Sequence, residues 1–139
     1  MQKILLGLIS VGMLLSFHSG IDSRKLKGKW QLNALYVKRN NIKESVDLEK
    51  YSNCEKKSTL EFKDSILKSV AYTTFYGKKV WCFKDAKTYV YKINFDRDKT
   101  LLVGTLSRFE QVSWTIVSLN DSILQLEDRS FFKEYKKIK

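Results

Sequence analysis

The feature that most limits what this chain can become is the run over residues 26–36: Leu26, Lys27, Gly28, Lys29, Trp30, Gln31, Leu32, Asn33, Ala34, Leu35 and Tyr36. Even positions carry apolar or small residues, and odd positions carry Lys, Lys, Gln and Asn until Leu35 interrupts the pattern. A period of two over this length describes an extended strand with one face toward a core and one toward water. Gly28, on the apolar face, marks a close backbone approach or a sharp bend. Trp30 follows on the same face with the largest apolar surface in the run.

The rest of the chain repeats the theme. Arg39, Asn40 and Asn41 supply turn chemistry, and residues 45–51 are predicted to form a short helix capped by Ser45. From there the sequence reads as strands, in the windows 58–63, 66–75, 80–83, 88–95, 101–106, 112–116, 123–126 and 131–135, divided by polar turns. Strong turn signals lie at Asp64-Ser65, Asn120-Asp121-Ser122 and Asp128-Arg129-Ser130. About nine short extended segments at hairpin spacing predict a sandwich or barrel, and consecutive hairpins favour an antiparallel up-and-down β-barrel of about eight strands. An outer-membrane barrel needs strands of about 9–11 residues and a lumen for its polar face. A narrow lumen filled with Lys27, Lys29, Gln31 and Lys63 is physically implausible, so these residues are assigned to a water-facing exterior.

The first residues are of another kind. Lys3 precedes an apolar run over residues 4–17 broken only by Ser10, the layout of a secretory signal peptide and too short for a membrane span of about 20 residues. The expected organisation is a signal peptide at 1–20 and one barrel domain at 21–139, with Ser16 and Ser23 as other cleavage points. A secreted or periplasmic location follows, with no transmembrane segment in the mature chain. Lipid attachment is excluded because the first cysteine is Cys54. Export gives Cys54 and Cys82 an oxidising destination, so a disulfide is the first reading and two buried thiols the second.

The formal charge of +11 favours anionic neighbours, yet the lysines are scattered over nearly every segment, the pattern of a solvated surface. The single histidine, His18, falls within the leader, which removes the commonest general base and metal ligand. The acids lie mainly in turns, and neither a phosphate-binding glycine loop nor a nucleophile elbow occurs. The chain is therefore read as a non-enzyme, with no metal and no cofactor.

Gly28-Lys29-Trp30 on a first strand resembles the Gly-x-Trp signature of lipocalins, and the chain from Ile21 onward is similar to bacterial lipocalin-like proteins of the Gram-negative envelope. The likeness continues through the polar connection after the first strand, the Cys54–Phe62 segment and the stretch from Trp114 to Leu126. An Asn-x-Asp-x-x-Tyr segment found in many lipocalins is absent. The resemblance implies an eight-stranded barrel, closed at one end and often holding a small apolar ligand. It also implies an arginine from a late strand over the Trp30 ring, with Arg129 first and Arg108 second; otherwise Trp30 is a plain core residue. Ligand-binding side chains are expected to be Phe62, Tyr72, Tyr89, Tyr91 and Trp114, with Trp81 as a further aromatic, around a small apolar or amphipathic molecule. The same side chains could instead fill the barrel, leaving an interaction domain that docks a protein or anionic envelope component through its basic surface. Export argues against nucleic acid.

Overall fold

One strand touches three others. The computed structural model describes residues 21–48, 50, 54–76, 79–96, 99–105 and 111–139. Its strands are β1 (Gly28–Arg39), β2 (Ile42–Ser45), β3 (Thr59–Lys63), β4 (Ile66–Tyr76), β5 (Lys79–Asp96), β6 (Thr100–Thr105), β7 (Gln111–Leu119), β8 (Ile123–Glu127) and β9 (Phe131–Ile138). Each of β3 to β8 pairs antiparallel with the next, and β1 pairs with both β3 and β9. Eight strands thus close into a ring. β2 stands beside it as a flap, paired only with the last four residues of β1.

The turns form where the sequence placed them. Asn40 and Asn41 both adopt positive φ, 46° and 63°, which is the geometry a two-residue hairpin needs. The Asn120 side chain accepts hydrogen bonds from the amides of Ser122 and Ile123, both at 2.8 Å. Asp128 does the same for Ser130 and Phe131 at 2.7 Å. Such local bonds stabilise a bend by satisfying amides that the ladder cannot.

Leu35, the residue that broke the alternation, has a structural cause. The register of β1 on β9 shifts between Leu32 and Ala34, so Asn33 is an extra residue. A bulge of one residue exchanges the inner and outer faces from that point on. Leu32 and Leu35 are both buried, while Ala34 and Tyr36 are not fully so. The Asn33 amide donates to Glu134 at 2.8 Å, and Gln125 donates to the other Glu134 oxygen at 3.0 Å. Trp30, Leu35, Leu67, Leu101, Ile116 and Leu124 are the largest wholly buried side chains.

At one end the ring is sealed. A 3₁₀ turn, Ser23–Leu26, precedes β1 and is capped by Asp22. The Trp30 indole Nε1–H donates to the Leu26 carbonyl at 2.8 Å. Trp30 and Lys137 face each other across the β1–β9 ladder, a pairing that sets side chains of one face in contact. Lys137 Nζ lies 5.0 Å from the Trp30 ring centroid and donates to the Lys25 carbonyl at 3.1 Å. The cation over the indole is therefore Lys137. Arg129 is exposed in the turn before β9, at the opposite end of that strand, and Arg108 lies outside the described residues. Gly28 has φ of 122°, and a Cβ there would meet Lys137 Cε at 2.9 Å. The close approach at Gly28 is thus the lysine stem.

The short helix expected over 45–51 is not seen among its described residues. Ser45 is instead committed to the β2 ladder opposite Tyr36, through the hairpin at Asn40-Asn41. A 3₁₀ turn at Glu55–Lys57 is the helical element of this connection; residues 49 and 51–53 lie outside the described ones.

Gly28→Ala is expected to destabilise the fold by about 1–3 kcal/mol, the range for a side chain forced into glycine-only backbone space. Lys137→Met, which keeps the stem but loses the cation and its hydrogen bond, should cost about 1–2 kcal/mol. Denaturant unfolding measures both, and a neutral Gly28→Ala would contradict the packing described.

Candidate binding cavity

The end of the ring away from Trp30 is built differently. β4 and β5 pair regularly from Ile66↔Lys92 to Ala71↔Lys87, then resume at Thr73↔Cys82. Residues 83–86 of β5 therefore stand opposite Tyr72 alone, a wide bulge in the longest strand of the chain. A disulfide joins Cys82 to Cys54, with Cα atoms 5.7 Å apart. Cys54 is the residue immediately before the Glu55–Lys57 turn. The bridge therefore fastens that turn to the β4–β5 wall beside Thr73, and Glu55 goes with it.

Between these elements lies a cavity of about 620 Å³. β1 contributes Val37 and Arg39, the turn region Glu55 and Ser58, β3 Leu60, β4 Ser69, Ala71 and Thr73, and β9 Phe131, Lys133 and Tyr135. Such a volume is ordinary for a small-molecule site. The lining is not mainly apolar, and its polar members are poorly satisfied. Ser58 Oγ and Thr73 Oγ1 are buried without a hydrogen-bond partner. Glu55 is only 4% exposed. Burial pushes its carboxyl above the ordinary range, and the charge of Lys133 acts in the opposite direction. Tyr135, buried at the cavity floor, is also pushed upward, first by desolvation and then by Glu55 and Asp128. A buried polar group without a partner costs about 1–3 kcal/mol, so the two hydroxyls at one cavity are a concentrated cost at a single place.

The aromatic residues anticipated as ligand contacts are dispersed. Phe62 is buried in the core and borders a separate recess near the sealed end, with Leu26 and Ile93. Tyr89 and Tyr91 stack on each other with ring centroids 6.2 Å apart, Tyr89 exposed and Tyr91 against the core. Tyr72 is half-buried between two cavity residues, Ala71 and Thr73, without lining the cavity itself. Trp81 is exposed. Trp114 packs on the core and borders a recess of about 30 Å³ that shares Phe131, Lys133 and Tyr135 with the main cavity. Of the five, Trp114 alone adjoins the cavity.

Sequence reasoning passed over Glu55, Ser58, Thr73 and Lys133. Lys133 had a usable signal, since Phe131, Lys133 and Tyr135 share one face of a strand by period two. Glu55 had only its place after Cys54.

Three comparisons bear on this arrangement. A family model described as a lipocalin-like domain matches residues 26–126, from the end of the first 3₁₀ turn into β8. A lipocalin-like protein from Bacteroides uniformis ATCC 8492 superposes with a TM-score of 0.57 at 15% identity, covering 82% of this chain and 99% of that one. An uncharacterized protein from Bacteroides eggerthii DSM 20697 gives 0.54 at 10% identity, covering 81% and 99%. At such identities the likeness is one of fold. No curated protein sequence matches the chain.

Glu55 generates a pH prediction. Burial raises its folded-state pKa above the ordinary glutamate value of about 4.5, so the folded protein binds more protons than the unfolded chain just above that pH. Stability should then fall as pH rises from about 4.5 through the folded pKa. Glu55→Gln is expected to raise Tm at pH 7 and to gain progressively less as pH approaches 4.5; a lower Tm at pH 7 would contradict this. Reducing the disulfide, which spans 28 residues, should cost about 3–4 kcal/mol in the chain-entropy model, read as a fall in Tm with added dithiol.

Proposed function

Because the chain belongs to the lipocalin-like domain family, we propose that it is a non-enzymatic binding protein that takes one small amphipathic molecule into the open end of its barrel. The observation that carries this reading is the cavity of about 620 Å³ with unpaired polar groups around it. A barrel that served only as a docking surface would have no use for buried hydroxyls without partners, whose cost a bound molecule offsets. The lining mixes apolar side chains, Val37, Leu60 and Phe131, with polar and charged ones, Arg39, Glu55, Ser58 and Lys133. That mixture supports an amphipathic ligand over a purely apolar one.

The reading includes a secreted or periplasmic location, which the leader-like residues 1–20 support. It includes no catalysis, supported by the lack of any histidine in residues 21–139 and by Glu55 being, among the described residues, the one acid that lines the cavity, with no second carboxylate to pair with it.

The test is occupancy. Titration with the fluorescent probe 1-anilinonaphthalene-8-sulfonate should give saturable, single-site binding. Ala71→Trp, which places an indole in the cavity, should weaken it roughly tenfold or more (about 1.4 kcal/mol or above) with the circular dichroism spectrum unchanged. Equal binding by both proteins would remove the cavity from the account.

A further inference from the structure

The cavity holds two opposite charges that are not closed on each other. Glu55, on the disulfide-anchored turn, is buried, and among the described residues its carboxyl makes no hydrogen bond and no ion pair. Lys133, on β9, is near enough for its charge to act on Glu55. Its Nζ lies 5.3 Å from the ring centroid of Phe131, its neighbour on the same strand face. Ser58 and Thr73 line the same space, their hydroxyls are buried without a partner, and each can donate or accept.

Resting on the binding function proposed above, we propose that the ligand carries a zwitterionic head group, with an ammonium beside Glu55 and an acidic group beside Lys133. The choice follows from what each ligand chemistry leaves unpaired. A purely apolar molecule would bury both charges and both hydroxyls with no partner, the costliest outcome. A simple carboxylate suits Lys133 but brings like charge toward Glu55, and a simple amine does the reverse. A neutral, hydroxyl-rich molecule serves Ser58 and Thr73 and leaves both charges without a counter-ion. Only a molecule with both signs meets every group, and the two hydroxyls can then bond to either end of it. Glu55 and Lys133 come from separate elements, the turn and β9, so the fold sets their spacing before the ligand arrives. The Cys54–Cys82 bridge fixes one side of that spacing, which is the preorganisation that selective binding of a small head group needs.

The experiment is calorimetric titration at pH 7 with three probes that share one alkyl chain: 2-aminododecanoic acid, dodecanoic acid and dodecylamine. The amino acid should bind roughly tenfold or more tightly than either comparator, in line with the strength of buried charge pairs. In Glu55→Gln its advantage over dodecanoic acid should vanish; in Lys133→Met its advantage over dodecylamine should vanish. Circular dichroism checks that both variants fold. Norleucine separates two sources of the same chemistry: affinity kept within roughly threefold assigns a free amino acid, and its loss assigns a tailed amphiphile, both supporting the head-group assignment. Equal binding of all three probes, or a preference that survives both substitutions, overturns the zwitterion while leaving the binding barrel intact. If no probe binds and the fluorescent dye does not saturate, the binding function itself falls.

Discussion

The pairing of β1 with β9 is the interaction on which the rest of the molecule depends. An antiparallel sheet that failed to close would leave two edges open to other chains, and its inner face would have nothing opposite to pack on. Here the first and last strands meet over Lys29↔Ile138 to Val37↔Phe131, and each end of that seam is secured by a lysine. Lys137 lies over Trp30 and reaches the first 3₁₀ turn. At the other end Lys38 bonds the Asp128 carbonyl at 2.8 Å and pairs with Glu127 at 2.6 Å. That hydrogen bond holds the Glu127 carboxyl below its ordinary range. Both lysines are partly shielded, so their contacts escape much of the solvent screening that makes most surface ion pairs weak.

Closure divides the interior in two. Near Trp30 the ring is filled by buried side chains, with the indole among them. Toward the other end lies the cavity, where β5 carries a bulge and the Cys54–Cys82 bridge fastens a separate turn to the wall. Part of the polar character of the cavity follows from that turn, while Arg39, Thr73 and Lys133 add to it from strands. Strand positions facing a barrel interior tend to be apolar by period two, whereas a turn inserted from outside brings its own composition, here Glu55 and Ser58. A lipocalin-like frame thus gains a charged interior through one covalent crosslink and one irregular strand.

The frame was legible in the sequence because period two, asparagine and aspartate turns, and the Gly28-Lys29-Trp30 triplet are all local signals. Strand positions and the ring followed from them, and the disulfide partners from there being two cysteines behind a leader-like segment. What escaped was non-local. The cation over Trp30 is decided by which residue of β9 stands opposite it, and that register depends on the Asn33 bulge, for which the sequence carries no distinct mark beyond Leu35. The residues proposed to hold a ligand were aromatic because aromatic side chains favour both strands and pockets, and strand preference explains most of them here: Phe62 and Tyr91 pack on the core, and Tyr89 stacks outside it. Among its described residues the helix expected at 45–51 is not seen, because a tight asparagine hairpin holds Ser45 in a ladder, a competition between two local signals that only the pairing partner decides.

The account makes the open end the place of binding and the indole end a structural plug. Two-dimensional ¹⁵N NMR during addition of a saturating fluorescent probe tests that division directly. Shifts concentrated at the amides of Glu55, Ser58, Thr73 and Lys133, with the Trp30 indole N–H signal unmoved, are what it predicts. Shifts centred on the Trp30 indole, or on the outer surface around Trp81, with the cavity amides unchanged, would contradict it.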